Sequence, residues 1–297
     1  MLNDDQKPMF LMSAVAAPLL HAASGCTWPA VALTGGVCLA VCLGLDAFPE
    51  NTAPPAWYQW LRWLWGTVLI SQILFWAENY WQERGGLWIA LILLGLSVWT
   101  TAKGAALTAR CAAVSGVFLL AITGGILLSG AKEIKLQNLS PAWQLTGGNL
   151  ITAFLLPSLM PRPKSGRAKA RILLLAILVS AITVGVLGTQ NCWNAEAPFY
   201  ELSRSLTLFG ITKRFESVTA VAMTIGFYLT INFILVGSKP KNSGKTDLPA
   251  LLLCTAFVLS QLKLDSRFLA AGCVLIWVFL PTLLCGINSI KKSLKTS

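Results

Sequence analysis

Two segments decide the fold: Met9-Phe-Leu-Met-Ser-Ala-Val-Ala-Ala-Pro-Leu-Leu-His-Ala-Ala-Ser24 and Thr146-Gly-Gly-Asn-Leu-Ile-Thr-Ala-Phe-Leu-Leu-Pro-Ser-Leu-Met160. Both are short and apolar, and each carries a proline inside, Pro18 and Pro157, with small residues nearby. A membrane helix interrupted this way leaves backbone N–H and C=O groups free, and its half-helix ends present partial charges. Such paired interruptions in corresponding positions of two halves point to a binding site near mid-membrane. Pro and Gly also mark simple kinks in membrane helices, so the pair by itself leaves both readings open.

The rest of the chain supports the membrane setting. It has 297 residues, 55% hydrophobic and only 12% charged, with 12 Trp. A soluble domain carries about a quarter charged residues. Apolar runs fall near 9–24, 29–45, 60–77, 86–101, 112–130, 145–160, 172–188, 217–237, 248–262 and 268–286. These predict ten helices in one membrane domain, divided into halves of about 1–142 and 143–297. Several runs are shorter than the roughly 20 residues that cross a bilayer unaided. The expected fold class is an all-α membrane protein, a five-plus-five inverted repeat with discontinuous helices 1 and 6. The N-terminal segment lacks a basic region and a cleavage site, so the first run reads as a span.

With both termini on the cytoplasmic side, 15 of the 23 Lys and Arg fall in cytoplasmic segments, against 8 outside. That bias follows the positive-inside rule. The run Arg162-Pro-Lys-Ser-Gly-Arg-Ala-Lys-Ala-Arg171 reads as a topology anchor on anionic lipid rather than a nucleic-acid site, because spans flank it. Ionisable groups within spans are His21, Arg62 and Glu78; each can snorkel to an interface or serve a function. One His and scattered cysteines give no metal spacing, and no cofactor is expected. Cys26 and Cys192 both fall in outer loops, where a disulfide is conceivable. No nucleophile–base pair or carboxylate pair is evident, which argues against an enzyme. Gly35-Gly36, Gly124-Gly125 and Gly147-Gly148 read as close helix packing or flexible points.

Between the seventh and eighth runs lies Pro198-Phe-Tyr-Glu-Leu-Ser-Arg-Ser-Leu-Thr-Leu-Phe-Gly-Ile-Thr-Lys-Arg-Phe-Glu-Ser217. Phe199, Leu202, Leu206 and Phe209 fall at helical spacing on one face, which predicts an amphipathic helix across the mouth of the bundle. An ordinary interfacial loop helix fits the same residues.

This stretch resembles a signature of the endospore germination permease family, the B subunits of nutrient germinant receptors, within the amino acid–polyamine–organocation superfamily. There a proline-led outer segment runs into an Arg-x-Glu-Ser-like step that opens the eighth span, here Arg214-Phe-Glu-Ser217. Gly104-Ala-Ala-Leu-Thr-Ala-Arg110, the later Leu139-Ser-Pro141, and Phe279-Leu-Pro281 followed by Lys291 and Lys292 are similar to further family patches, in the family's order. Ala197 and Met223 depart from it, standing where an aromatic and a tryptophan are usual.

The resemblance implies a membrane sensor of a small nutrient, an amino acid, working with a larger membrane subunit and a lipoprotein subunit in the spore inner membrane. A stand-alone amino acid transporter of the same superfamily is the alternative. The implied ligand site comprises Ser13, Ala14, Ala17 and Pro18 in span one, and Thr146, Gly147, Gly148 and Asn149 in span six. Ser71 and Gln72 in span three and Thr219 and Met223 in span eight complete its wall. The outer helix from Pro198, ending at Arg214 and Glu216, is implied as a lid.

Overall fold

A computed structural model describes residues 6–47, 55–81, 86–139, 148–159, 166–206, 215–238 and 264–287. Among these residues there is no strand. The helices are α1 (Gln6–Ser24), α2 (Trp28–Ala47), α3 (Ala56–Asn79), α4 (Gly86–Lys103) and α5 (Ala105–Ala131), then α6 (Gly148–Leu155), which tightens into a 3₁₀ turn at Leu156–Leu159. There follow α7 (Gly166–Leu187), α8 (Thr189–Asn194), α9 (Pro198–Ser205), α10 (Glu216–Ser238) and α11 (Ser266–Cys273), which continues through a π-helical stretch at Val274–Phe279. Six helical spans are long and apolar enough to cross a bilayer: Trp28–Asp46, Gly86–Lys103, Leu107–Ala131, Arg167–Leu187, Glu216–Ser238 and Ser266–Ile287. The protein is an all-helical integral membrane protein. The expected ninth run, 248–262, lies outside the described residues.

The distribution of apolar side chains is that of a bundle in lipid. On α4 and α5, large apolar residues such as Trp88, Ile92, Trp99, Val114 and Leu128 are more than half exposed. Burial of one face with apolar residues on the other is what a hydrocarbon solvent permits and water does not. α1 behaves differently. It packs against α5, α6, α7, α9 and α10, and Leu11, Ala14, Val15, Ala17 and Leu19 are all essentially inaccessible. It is the central helix, apolar all round because it is buried all round.

α1 also corrects an expectation. It is one continuous helix through Pro18, not a pair of half-helices. Proline cannot donate to the carbonyl four residues earlier, so the Ala14 oxygen is the group left over. In this bundle the Thr230 hydroxyl on α10 donates to that oxygen at 2.5 Å and also to Gly226 at 2.9 Å. A neighbouring helix thus satisfies the orphan, and unwinding is unnecessary. The approach is close because Gly226 faces Ala17: a Cβ there would sit 2.4 Å from the Ala17 Cβ. Gly116 on α5 plays the same part beside Ser13, whose Oγ would lie 1.9 Å from an added Cβ.

The second interruption is present. α6 loses its α-helical form at Leu156, next to Pro157, and the chain closes as a 3₁₀ turn. Gly35 is a close-packing position as expected, since a Cβ there would meet Leu173 at 2.3 Å and Phe154 at 2.6 Å. Gly36, Gly124 and Gly125 have nothing within 4 Å among the described residues.

The basic run 162–171 is corrected in one member. Lys169 is buried and ion-paired with Asp46 on α2, and its Nζ also reaches the Cys42 carbonyl at 3.5 Å. It joins α7 to α2 instead of touching lipid. A lysine half a turn inside the bundle needs such a partner, because an unpaired charge there is costly.

Candidate functional site

A cleft of about 470 Å³ opens at the end of the bundle that holds the C-terminal turns of α1 and α3. Gln72, Phe75, Trp76 and Asn79 line it from α3, at i, i+3, i+4 and i+7, which is one helix face. His21 enters from α1 and Asn149 from the first turn of α6. Glu196, just before α9, and Asp265 and Ser266, at the start of α11, line it too. Both carboxylate residues are exposed. Asp265 caps α11, its Oδ1 accepting the Arg267 N–H at 2.9 Å, which stabilises the helix start.

Two features distinguish this cleft from slack space. The Gln72 Oε1 and the Asn149 Oδ1 are enclosed and have no hydrogen-bond partner among the described residues. Leaving a buried amide oxygen unpaired costs roughly 1–3 kcal/mol, so each marks a place where a donor is wanted. The other feature is an aromatic wall. The His21 ring lies 4.8 Å from that of Trp76, and the Tyr80 hydroxyl is 3.5 Å from His21 Nδ1. Tyr80 in turn meets Tyr200 of α9, with ring centroids 6.0 Å apart. His21 is therefore turned into the bundle and does not snorkel outward.

α9 lies over this end of the bundle. Proline at its first position fixes the entry angle without losing a needed donor, and Pro198, Phe199 and Leu202 are buried. Glu201 and Arg204 face outward, 3.9 Å apart. The amphipathic helix is thus present but ends at Ser205; Phe209 and Arg214 lie outside the described residues. Glu216 begins α10, with its Oε2 buried and unpartnered.

Of the expected ligand wall, Gln72 and Asn149 meet at the cleft. Ser13, Ala14, Ala17 and Pro18 do not line it; they are the packed centre of the bundle. Ser71 is fully buried and donates to the Val68 carbonyl at 2.6 Å, a helix step away from its neighbour's direction. Thr219 donates to Phe215 at 3.1 Å, and Met223 belongs to the apolar core. Gly148 is a packing residue: a Cβ there would land 1.8 Å from the Ser266 carbonyl oxygen. Thr146 and Gly147 lie outside the described residues. Glu196, Asp265 and the Phe75–Trp76 pair come from elsewhere. The sequence signal for the α3 residues is an amide at each end of an aromatic helix face, unusual in an apolar run.

The opposite end of α3 is tied to its neighbours. Arg62, near the start of α3, points inward, and its Nη2 donates to the Leu159 carbonyl at 2.9 Å and the Gly237 carbonyl at 3.1 Å. Those carbonyls end the α6 turn and α10, where helix dipoles present negative charge, so a guanidinium suits them. Tyr58, one turn earlier, lies under the Arg62 guanidinium at 5.8 Å and donates to the Ile276 carbonyl at 2.9 Å within the π-helical stretch of α11. Two helix ends and the π-helical stretch of α11 are gathered on one α3 turn.

Cys26 and Cys192 are both buried and do not form a disulfide. Burial, helped by the adjacent Cys26, pushes the Cys192 thiol up to about 12, which keeps it protonated and unreactive at neutral pH.

No protein-family model matches the chain, and no curated protein sequence is significantly similar to it.

Proposed function

We propose that the protein is a nutrient-sensing membrane subunit of the endospore germinant-receptor kind, binding a small nutrient, an amino acid, in the cleft at the His21 end. The observation that carries this reading is the convergence of Gln72 and Asn149, each with an unpaired amide oxygen, on one aromatic-walled cleft. A concave site with a few aimed polar groups and an apolar wall is the usual form of a small-molecule site. In this reading the fold is the ten-span inverted repeat, α9 is the lid, and both termini are cytoplasmic in the spore inner membrane. Binding shifts the subunit's conformation by its differential affinity for two states. A larger membrane subunit and a lipoprotein subunit receive that change, and surrounding lipid contacts the rest.

The stand-alone amino acid transporter is kept as a second reading because of one observation. A cleft opens at one end of α3, while at the other Arg62 ties the ends of α6 and α10 together, an asymmetry of the kind alternating access uses.

Purified protein titrated with the common amino acids is expected to bind at least one saturably; binding of none sinks both readings. Gene deletion is expected to abolish the spores' response to that nutrient. Accumulation of labelled ligand by proteoliposomes containing this chain alone would favour the transporter.

A further inference from the structure

The cleft carries a charge preference that the nutrient reading does not by itself specify. Glu196 and Asp265 both line it, and neither is ion-paired among the described residues. No Lys or Arg is among its described lining residues. Two helix N-termini lie at the cleft: that of α6 is packed against the Ser266 carbonyl, on which a Cβ at Gly148 would land, and that of α11 is capped by the Asp265 carboxylate, which accepts the Arg267 N–H. Among the described residues, a ligand carboxylate finds no cation there. A ligand cation finds carboxylates at the mouth.

Deeper in, Gln72 is only 6% exposed, and among the described residues its Oε1 and the Asn149 Oδ1 have no partner. Both are acceptors. Phe75 and Trp76 add an apolar wall, and aromatic faces attract ammonium groups. A primary ammonium offers three donors and no acceptor, which matches this set of groups.

Building on the nutrient-site reading, we propose that the cleft recognises its ligand through a primary ammonium group, with the ligand carboxylate contributing little. The ligand class is therefore a small primary amine with an apolar body, of which an apolar amino acid is one case. Free amines of the same body should bind as well.

The test uses the full chain in detergent and two matched triplets: ethylamine, alanine and propionate, then 2-phenylethylamine, phenylalanine and 3-phenylpropionate. In whichever triplet binds, the amine is expected within about threefold of the amino acid, with no saturable binding of the acid. Joint replacement Glu196→Gln with Asp265→Asn should weaken amine binding by about tenfold, a sum of two exposed charge contacts. Asn retains the helix cap. Glu201→Gln, outside the cleft, should leave affinity unchanged. Tight binding of the acid, or of the amino acid but not the amine, overturns the ammonium proposal while leaving the nutrient site standing. If no amine or amino acid binds, the nutrient site falls, and the ammonium proposal with it.

Discussion

The two ends of α3 face opposite tasks. Near its start, Arg62 and Tyr58 satisfy carbonyls at Leu159, Gly237 and Ile276 and draw three helices together. About 25 Å further along the helix, Asn79 and the residues before it line an open cleft with unpaired amide oxygens. Lys169 and Asp46 lock α7 to α2 at the Arg62 end, while Glu196 and Asp265 at the other end lack ion partners among the described residues. At the Arg62 end the guanidinium Nη2 and the Tyr58 hydroxyl donate to neighbouring carbonyls, although the Arg62 Nε and the nearby Ser238 Oγ and Trp277 Nε1 are left unpaired among the described residues. At the other end the unpaired amide oxygens belong to residues that line a cleft. What marks a candidate site is an unpaired group together with a cavity.

This contrast can be broken by substitution, and the largest effect is expected at the Arg62 end. Arg62→Ala removes both guanidinium bonds and leaves two carbonyls unpaired, at roughly 3–5 kcal/mol. Thermal unfolding in detergent should show a clear fall in Tm, and Arg62→Lys only a partial rescue, because lysine lacks the planar fork. An unchanged Tm in Arg62→Ala would remove this tie from the account.

Next comes the α1 centre. Gly226→Ala drives a methyl into Ala17 and is expected to cost about 1–3 kcal/mol, whereas Gly124→Ala, which has nothing within 4 Å among the described residues, should stay within about 0.5 kcal/mol. Thr230→Val leaves the Ala14 carbonyl without its donor and should cost about 1–3 kcal/mol. Equal effects at Gly226 and Gly124 would argue against the packing described for α1.

The smallest effect is expected at Cys192. Its thiol is held at about 12 by burial, so native protein should resist alkylation at pH 8 and react only on unfolding. Stability carries no dependence on this group below that pH, since folded and unfolded thiols are both protonated well below their pKa values. Rapid labelling of native protein would contradict the burial of this turn.

Much of the architecture is legible in the sequence because hydrocarbon imposes long apolar runs, and α1 to α7 and α10 fall where those runs lie. The site is less so. Pro18 reads as a break, yet whether a proline's orphan carbonyl stays free depends on a hydroxyl 216 positions away in the chain, Thr230. No local pattern announces that pairing. Gly148 reads from the residues as close helix packing or a flexible point, and Ser266 packed beside it bears out the packing; its place in the ligand wall comes from the resemblance alone. Gln72 and Asn149 are named only through the family resemblance, together with ten residues that do not line the described cleft or lie outside the described residues. Glu196 and Asp265 are not named at all, since carboxylates in loops between spans look like any solvated charge until tertiary structure brings them to one mouth.

The central claim is that the unpaired amide in the cleft is kept for a ligand. Gln72→Leu tests it most directly, measured for Tm and for amino acid or amine binding in the same preparation. Removing an unsatisfied buried oxygen should leave Tm unchanged or raise it, while affinity falls at least about tenfold, or 1.4 kcal/mol. A variant that binds as tightly as the original chain, or that loses binding only by losing its fold, would contradict the account.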